Sequence, residues 1–169
     1  MTTFIIGDTH FGHKYMAQDF RGFASVEEHD ETLVELWNLR VHSKDTVWVL
    51  GDFASNASTV ERIAPRLRGH KKLVLGNHDQ CGINTYARHF GRIHGVMEER
   101  HPGLGRVLLT HVPVHPQEIS HGLQFNIHGH IHDRHLNLNG KYLNVNADVL
   151  PCRWEPLPWE DLSILQGND

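Results

Sequence analysis

Four short apolar runs, at 4–6, 47–50, 73–75 and 107–109, each give way within a few residues to an acid, an amide or a histidine. Runs this short and this rich in Val, Ile and Leu are the signature of strands buried on both faces. Parallel strands of that kind deliver the residues that follow them to one edge of a sheet. The layout therefore predicts a sheet edge that collects Asp8-Thr-His10, Gly51-Asp52, Gly76-Asn77-His78-Asp79 and His111, with Gly129-His130-Ile-His132 following later in the chain. Each block alone is weak. Asp8 and Asp52 could be turn residues at strand ends, Asn77 to Asp79 a capped turn, and His130 with His132 a surface pair. Their order carries the signal, and together they specify a two-metal hydrolytic site.

Between the runs the pattern alternates. A loop over 11–24 leads to a helix opened by the capping box Ser25-Val-Glu-Glu28, with Leu33, Leu36, Trp37 and Arg40 at helical spacing. A second Ser-x-x-Glu, Ser58 to Glu61, predicts a shorter helix with Val60, Ile63, Ala64 and Leu67 on one side, ending near Gly69. These segments read as βαβ units. From 93 onward the pattern becomes consecutive strands, at 93–98, 106–109, 125–127, 136–138 and 142–145, with turns at Pro102-Gly103 and Asn139-Gly140. A βαβ half and a meander half predict an α/β (mixed α+β) protein of two sheets packed face to face with helices outside. In the tail from 151 to 169, Trp154 and Trp159 are expected to cover an apolar face.

A length of 169 residues fits one domain, 1–169. The net charge of −4, with no Lys/Arg run, argues against a broad nucleic-acid-binding surface, while leaving a nucleotide end in a cleft possible. Cys81 and Cys152 lie far apart, so reduced thiols in a cytoplasmic protein are the simpler reading, and any metal is held without sulfur. The N-terminus has no basic n-region, and no apolar stretch approaches the ~18 residues of a membrane span. Carboxylate, imidazole and amide donors suit two divalent ions, manganese first, with iron, nickel, cobalt or zinc as alternatives. Magnesium prefers oxygen and several waters.

The five blocks resemble the motif series DxH, GD, GNHD, H, GHxH of the calcineurin-like metallophosphoesterases, over residues 4–148, and the segment His10-Phe-Gly-His-Lys14 is similar to a small single-domain subgroup of that family. The resemblance implies a four-layer sandwich of two mixed β-sheets flanked by helices, without a cap domain. It places one ion on Asp8, His10, Asp52 and His132, and the second on Asp52, Asn77, His111 and His130, with Asp52 bridging them. Two ions ~3.5–4 Å apart acidify a water between them, and the hydroxide attacks phosphorus in line. His78 would contact the phosphoryl oxygen or protonate the leaving oxygen, with Asp79 orienting its ring.

Outside this shell, His13, Lys14 and Arg21 either reach a substrate phosphate or belong to a solvated loop. His128, placed by strand alternation on the face of His130 and His132, is either a packed strand histidine or a support for the ligands. Asn146 and Asp148 are expected to brace the loop. The function expected is hydrolysis of a phosphodiester in a small nucleotide or at a nucleic-acid end. The alternatives are a phosphomonoesterase or protein phosphatase, and a silent protein-binding scaffold. The intact ligand set and His78 argue against the last. The sequence does not define an oligomeric state.

Overall fold

The computed structural model describes residues 1–134 and 140–166. The expected strand at 136–138, and Asn139 of the expected turn, lie outside the described residues. Strand β1 (Thr3–Ile6) pairs in parallel with β2 (Thr46–Leu50), β2 with β3 (His70–Val74), and β3 with β4 (Arg92–His94). The second sheet holds β5 (Met97–His101), β6 (Gly105–Leu109), β7 (Leu123–His128) and β8 (Tyr142–Asn144). A short β9 (Leu157–Pro158) returns antiparallel to β1 and closes the first sheet. The protein is thus a mixed α/β fold with two mixed sheets.

The expected single strand at 93–98 is two strands in two different sheets. The chain leaves the first sheet after His94 and enters the second at Met97, across Gly95 and the exposed Val96. The expected meander is likewise corrected. Among the described residues of the second sheet, only β5 and β6 form an antiparallel pair, at the Pro102-Gly103 turn, whereas β6, β7 and β8 run parallel. Parallel neighbours need a crossover rather than a tight turn. The crossover from β6 to β7 contains a single turn of 3₁₀ helix, Pro116–Glu118.

Helix α1 (Val26–Arg40) starts where the capping box puts it. The Ser25 hydroxyl accepts from the Glu28 amide, and Glu28 accepts in turn from the Ala24 amide. Its buried face is His29, Asp30, Leu33, Val34 and Trp37. Helix α2 (Ala57–Ile63) begins earlier than the Ser58 signal, because Asn56 is the cap. Asn56 Oδ1 accepts from the Thr59 amide and from the Ser58 hydroxyl. A 3₁₀ turn (Ala64–Arg66) follows, and a further short helix, α3 (Ile83–Ala87), precedes β4. The expected loop at 11–24 contains one wide π-type turn, Tyr15–Phe20, closed by the Arg21 amide on the Met16 carbonyl.

Both sheets feed one contiguous core. It includes Ile5, Ile6, Val49, Leu50 and Leu73 from the first sheet, Val107, Leu109, Ile127 and Leu143 from the second, and Trp37 from α1. The tail seals it as expected, with Trp159 and Leu162 of the 3₁₀ helix Trp159–Leu165 buried and Trp154 packed at the edge. Backbone bonds join the sheets at the functional end. The Gly7 amide donates to Val145, and the Ala147 amide donates to Gly7. Among the described residues no helix is long and apolar enough to cross a membrane.

Candidate metal centre

The sheet edge delivers the ligand blocks as the strand pattern predicts. Asp8 and His10 leave the end of β1, Asp52 the end of β2, Asn77 and His78 the end of β3, His111 the end of β6, and His130 and His132 the end of β7. They assemble into two groups, Asp8 with His10 and His132, and Asp52 with His111 and His130. Within each group one donor atom per residue lies within 4.8 Å of the others. The groups adjoin, since His10 Nε2 is 3.6 Å from Asp52 Oδ2. Asn77 joins the second group through Oδ1, 3.0 Å from His111 Nε2.

Several features fit these residues to divalent cations. His10 Nε2 is buried, and among the described residues it has no hydrogen-bond partner, an arrangement that costs free energy unless a Lewis acid meets the lone pair. His111 Nδ1 faces the Leu50 carbonyl at 2.9 Å, which makes Nδ1 the donor and turns Nε2 toward Asp52, Asn77 and His130, the side on which an ion would be held. Among the described residues, five of the seven non-glycine residues with positive φ are candidate ligands: Asp8, His10, Asp52, His130 and His132. Left-handed backbone at a non-glycine residue costs ~1–3 kcal/mol, and it persists where surrounding structure demands a particular side-chain direction. Two glycines serve the same end by close approach. A Cβ on Gly129 would collide with Asp8 Oδ2, and one on Gly76 with Asp52 Oδ1.

Crowding also sets the ionisation. Burial pushes Asp8 up to about 7 against the opposing pull of His111 and His132, and burial drives His10 down to about 2. Burial favours the neutral form of Asp52 too, but bonds from His111 and the His78 amide outweigh it and hold this carboxyl at about 2. Burial opposes protonation of His111, yet its contacts with Asp52 and Asp8 lift it to about 9. Acids and imidazoles packed this closely compete for a few protons, and a dication satisfies all of them at once.

His132 is the most heavily supported ligand. Its Nδ1 lies 3.0 Å from Asp148 Oδ2 and 3.2 Å from Asn146 Nδ2. Asp148 is gripped by Arg21 through two bonds of 2.8 and 3.0 Å, and by the Trp154 indole N–H. Asn146 and Asp148 therefore brace the ligands. Arg21 belongs to this bracing and not to a substrate pocket. Its remaining N–H groups go to the Thr9 and Asp8 carbonyls and to His29 Nε2, so the five donors are engaged and the residue is buried. Because arginine can only donate, His29 Nε2 accepts, and its Nδ1 donates to Asp30, which also accepts from Gly12 and Arg62. Sequence reasoning gave His29 no role. The available signal was an acid and a histidine inside the apolar stripe of α1.

Asp79 also departs from expectation. Its carboxylate accepts from the amides of Asp52, Phe53 and Gly76 and from the Tyr86 hydroxyl, so it positions the backbone around Asp52 and does not orient the His78 ring. The His78 amide donates to Asp52 Oδ1, while its exposed ring lies 5.4 Å from those of His10 and of His13. His13 therefore reaches the site, whereas Lys14 is exposed and is not among the residues lining the cleft. His128 ends β7 in the core with Nδ1 against the Gly129 carbonyl, and burial lowers it to about 4. It is a packed strand histidine, because the chain after it turns through positive φ and breaks the alternation with His130 and His132. The cleft above the ligands is lined by His10, His13, His78 and His132 together with Tyr15, Met16, Phe20, Asp133 and Arg134. The last five carried no motif signal.

No family model matches the chain. Over 141 residues it is 33% identical to the uncharacterized protein MJ1445 of Methanocaldococcus jannaschii, an alignment covering 79% of this chain and 71% of that protein. It is 42% identical over 83 residues to the gene 66 protein of Mycobacterium phage L5, and 40% identical over 77 residues to that of Mycobacterium phage D29. These alignments cover 46% and 43% of this chain but only 39% and 38% of the phage proteins, well under half their length. Among solved structures, a protein of unknown function from Aquifex aeolicus, AQ665, superposes with a TM-score of 0.74 at 24% identity, covering 97% of this chain and 98% of that one. That likeness establishes a shared fold.

Proposed function

We propose that this chain, which belongs to the same family as the uncharacterized protein MJ1445, is a metal-dependent phosphodiesterase with a binuclear centre. The observation that carries the reading is the pair of adjoining ligand groups, Asp8/His10/His132 and Asp52/His111/His130, at one sheet edge with His78 on the cleft side. Two mixed sheets with helices against them support the four-layer metallophosphoesterase arrangement. The donor set, without thiolate, fits manganese or another borderline ion. A pair of such ions supplies positive charge to the phosphoryl oxygens and acidifies water.

The chain's own residues account for the rest. Asp52 stands between the groups, 3.6 Å from His10 Nε2 and 3.4 Å from His111 Nε2, and is the natural shared ligand. Hydrolysis attaches the oxygen of water to phosphorus and breaks the P–O bond to the alcohol, whose oxygen must gain a proton. His78 is the exposed imidazole on the cleft side, suited to deliver that proton. Asp79 keeps the Asp52 and Gly76 backbones in register with it. The test is hydrolysis of bis(p-nitrophenyl) phosphate and p-nitrophenyl phosphate on chelated protein refilled with Mn²⁺, Ni²⁺, Zn²⁺ or Mg²⁺, with Asp52→Asn as control. Diester turnover that needs the ion and vanishes in the control is the expected result. A faster monoester would replace diesterase by phosphatase, and absence of both turnover and bound metal would sink the reading.

A further inference from the structure

We infer that the cleft beside the ligands is a nucleoside site, in which Phe20 and Tyr15 form a stacking shelf for the base of a nucleotide whose phosphate lies at the two ligand groups. The inference rests on the proposed esterase and gives its substrate class. The shelf comes from the π-type turn Tyr15–Phe20, a backbone form that recurs at functional sites. Tyr15 is 60% and Phe20 39% exposed. A single exposed aromatic needs no explanation, but these two line one cleft, over the buried Met16 and beside His78 and His132. Phe20 is in ring contact with the ligand His132, at 5.2 Å between centroids. A ring seated on Phe20 is therefore next to the reacting phosphate.

The same cleft also has polar lining. It carries Asp133, an acceptor, and Arg134, whose Nε is anchored on the Ile131 carbonyl. Aromatic faces that share a cleft with a donor and an acceptor match a heterocyclic base, which offers both a π-surface and a hydrogen-bonding edge. A plain aryl ester would use only the shelf. The cleft encloses about 370 Å³, toward the small end of the roughly 300–1,000 Å³ of small-molecule sites, and fits a single nucleotide or a strand terminus better than a duplex.

The test is calorimetric binding of adenosine 5′-monophosphate, ribose 5-phosphate and phenyl phosphate to the manganese-loaded chain, and to Tyr15→Ala and Phe20→Ala, with metal content measured. The nucleotide should bind about tenfold more tightly than ribose 5-phosphate, the contribution of one base–aromatic stack. That preference should collapse in both variants, while ribose 5-phosphate binds as before. Equal binding of the two by the wild type, binding of neither, or a preference untouched by both substitutions would overturn the nucleoside site. Phenyl phosphate binding more tightly than the nucleotide would overturn it in favour of aryl esters. Turnover of bis(p-nitrophenyl) phosphate on the same samples reports on the esterase separately. A base preference without turnover would fail the esterase and keep the shelf.

Discussion

The two ligand groups are built by different means. Around His132, support is ionic and long-range: Asp148 holds the ring, Arg21 holds Asp148, and Arg21 also binds the carbonyls of Asp8 and Thr9, so residues far apart in sequence form one buried network. Around His111, the backing is a neutral backbone group at the sheet edge: its Nδ1 rests on the Leu50 carbonyl, while its Nε2 faces Asp52, Asn77 and the His130 ring. A carboxylate behind an imidazole raises its basicity and fixes its orientation more strongly than a carbonyl does. On the proposed binuclear reading, the Asp8/His10/His132 group is expected to bind its ion the more tightly, and the Asp52/His111/His130 group, bordered by the exposed Asn77, to exchange its ion the more readily.

That asymmetry can be broken in several ways. The largest effect is expected from Asp52→Asn, which weakens both groups at once. Metal analysis should find both ions depleted and turnover at background, and retention of one full equivalent would show that Asp52 is not shared. His78→Ala should touch neither group, so turnover should fall ~10²–10⁴-fold with two ions still bound by metal analysis. Asp148→Asn should separate the groups, lowering affinity at the His132 group alone by ~10–100-fold in a titration with competing chelator. Equal weakening of both ions would erase the distinction drawn here. The smallest effect belongs to Asp79→Asn, which leaves buried amides with a poorer acceptor and should cost ~1–3 kcal/mol in urea unfolding. An associated fall in turnover, with His78 unchanged in sequence, would show how far Asp79 acts through the Asp52 backbone.

Much of the edge was legible because strand ends and candidate ligands share one signal: a Val/Ile/Leu run fixes where β1, β2, β3 and β6 stop, and a candidate ligand follows within a few residues. Topology beyond residue 93 was not legible. Gly95-Val96 looks like the middle of a strand by composition, and only tertiary packing decides that β4 and β5 belong to different sheets. Arg21 read equally as a phosphate contact or as part of a solvated loop, because nothing in its local sequence marks a buried bracing role. Its partner Asp148 lies 127 positions away, beyond the reach of any local pattern. Asp79 misled for a related reason, since adjacency to His78 in sequence does not make their side chains meet when the backbone turns between them. The shelf of Tyr15 and Phe20 was hidden in a segment whose spacing matches neither a helix nor a strand.

The stitch of Gly7 to Val145 and Ala147, with Arg21 closing on Asp148 beside it, bears on biosynthesis. Asp8, His10 and the residues their amides bond, Gly51 and Asp52, are synthesised long before Val145 and Ala147, the partners of Gly7, and before Asp148, the brace of His132. A nascent chain stalled before residue 145 offers loose acids and histidines rather than a selective pocket. On the proposed metal-dependent reading, selection among ions would therefore rest with the folded chain and the ions then around it.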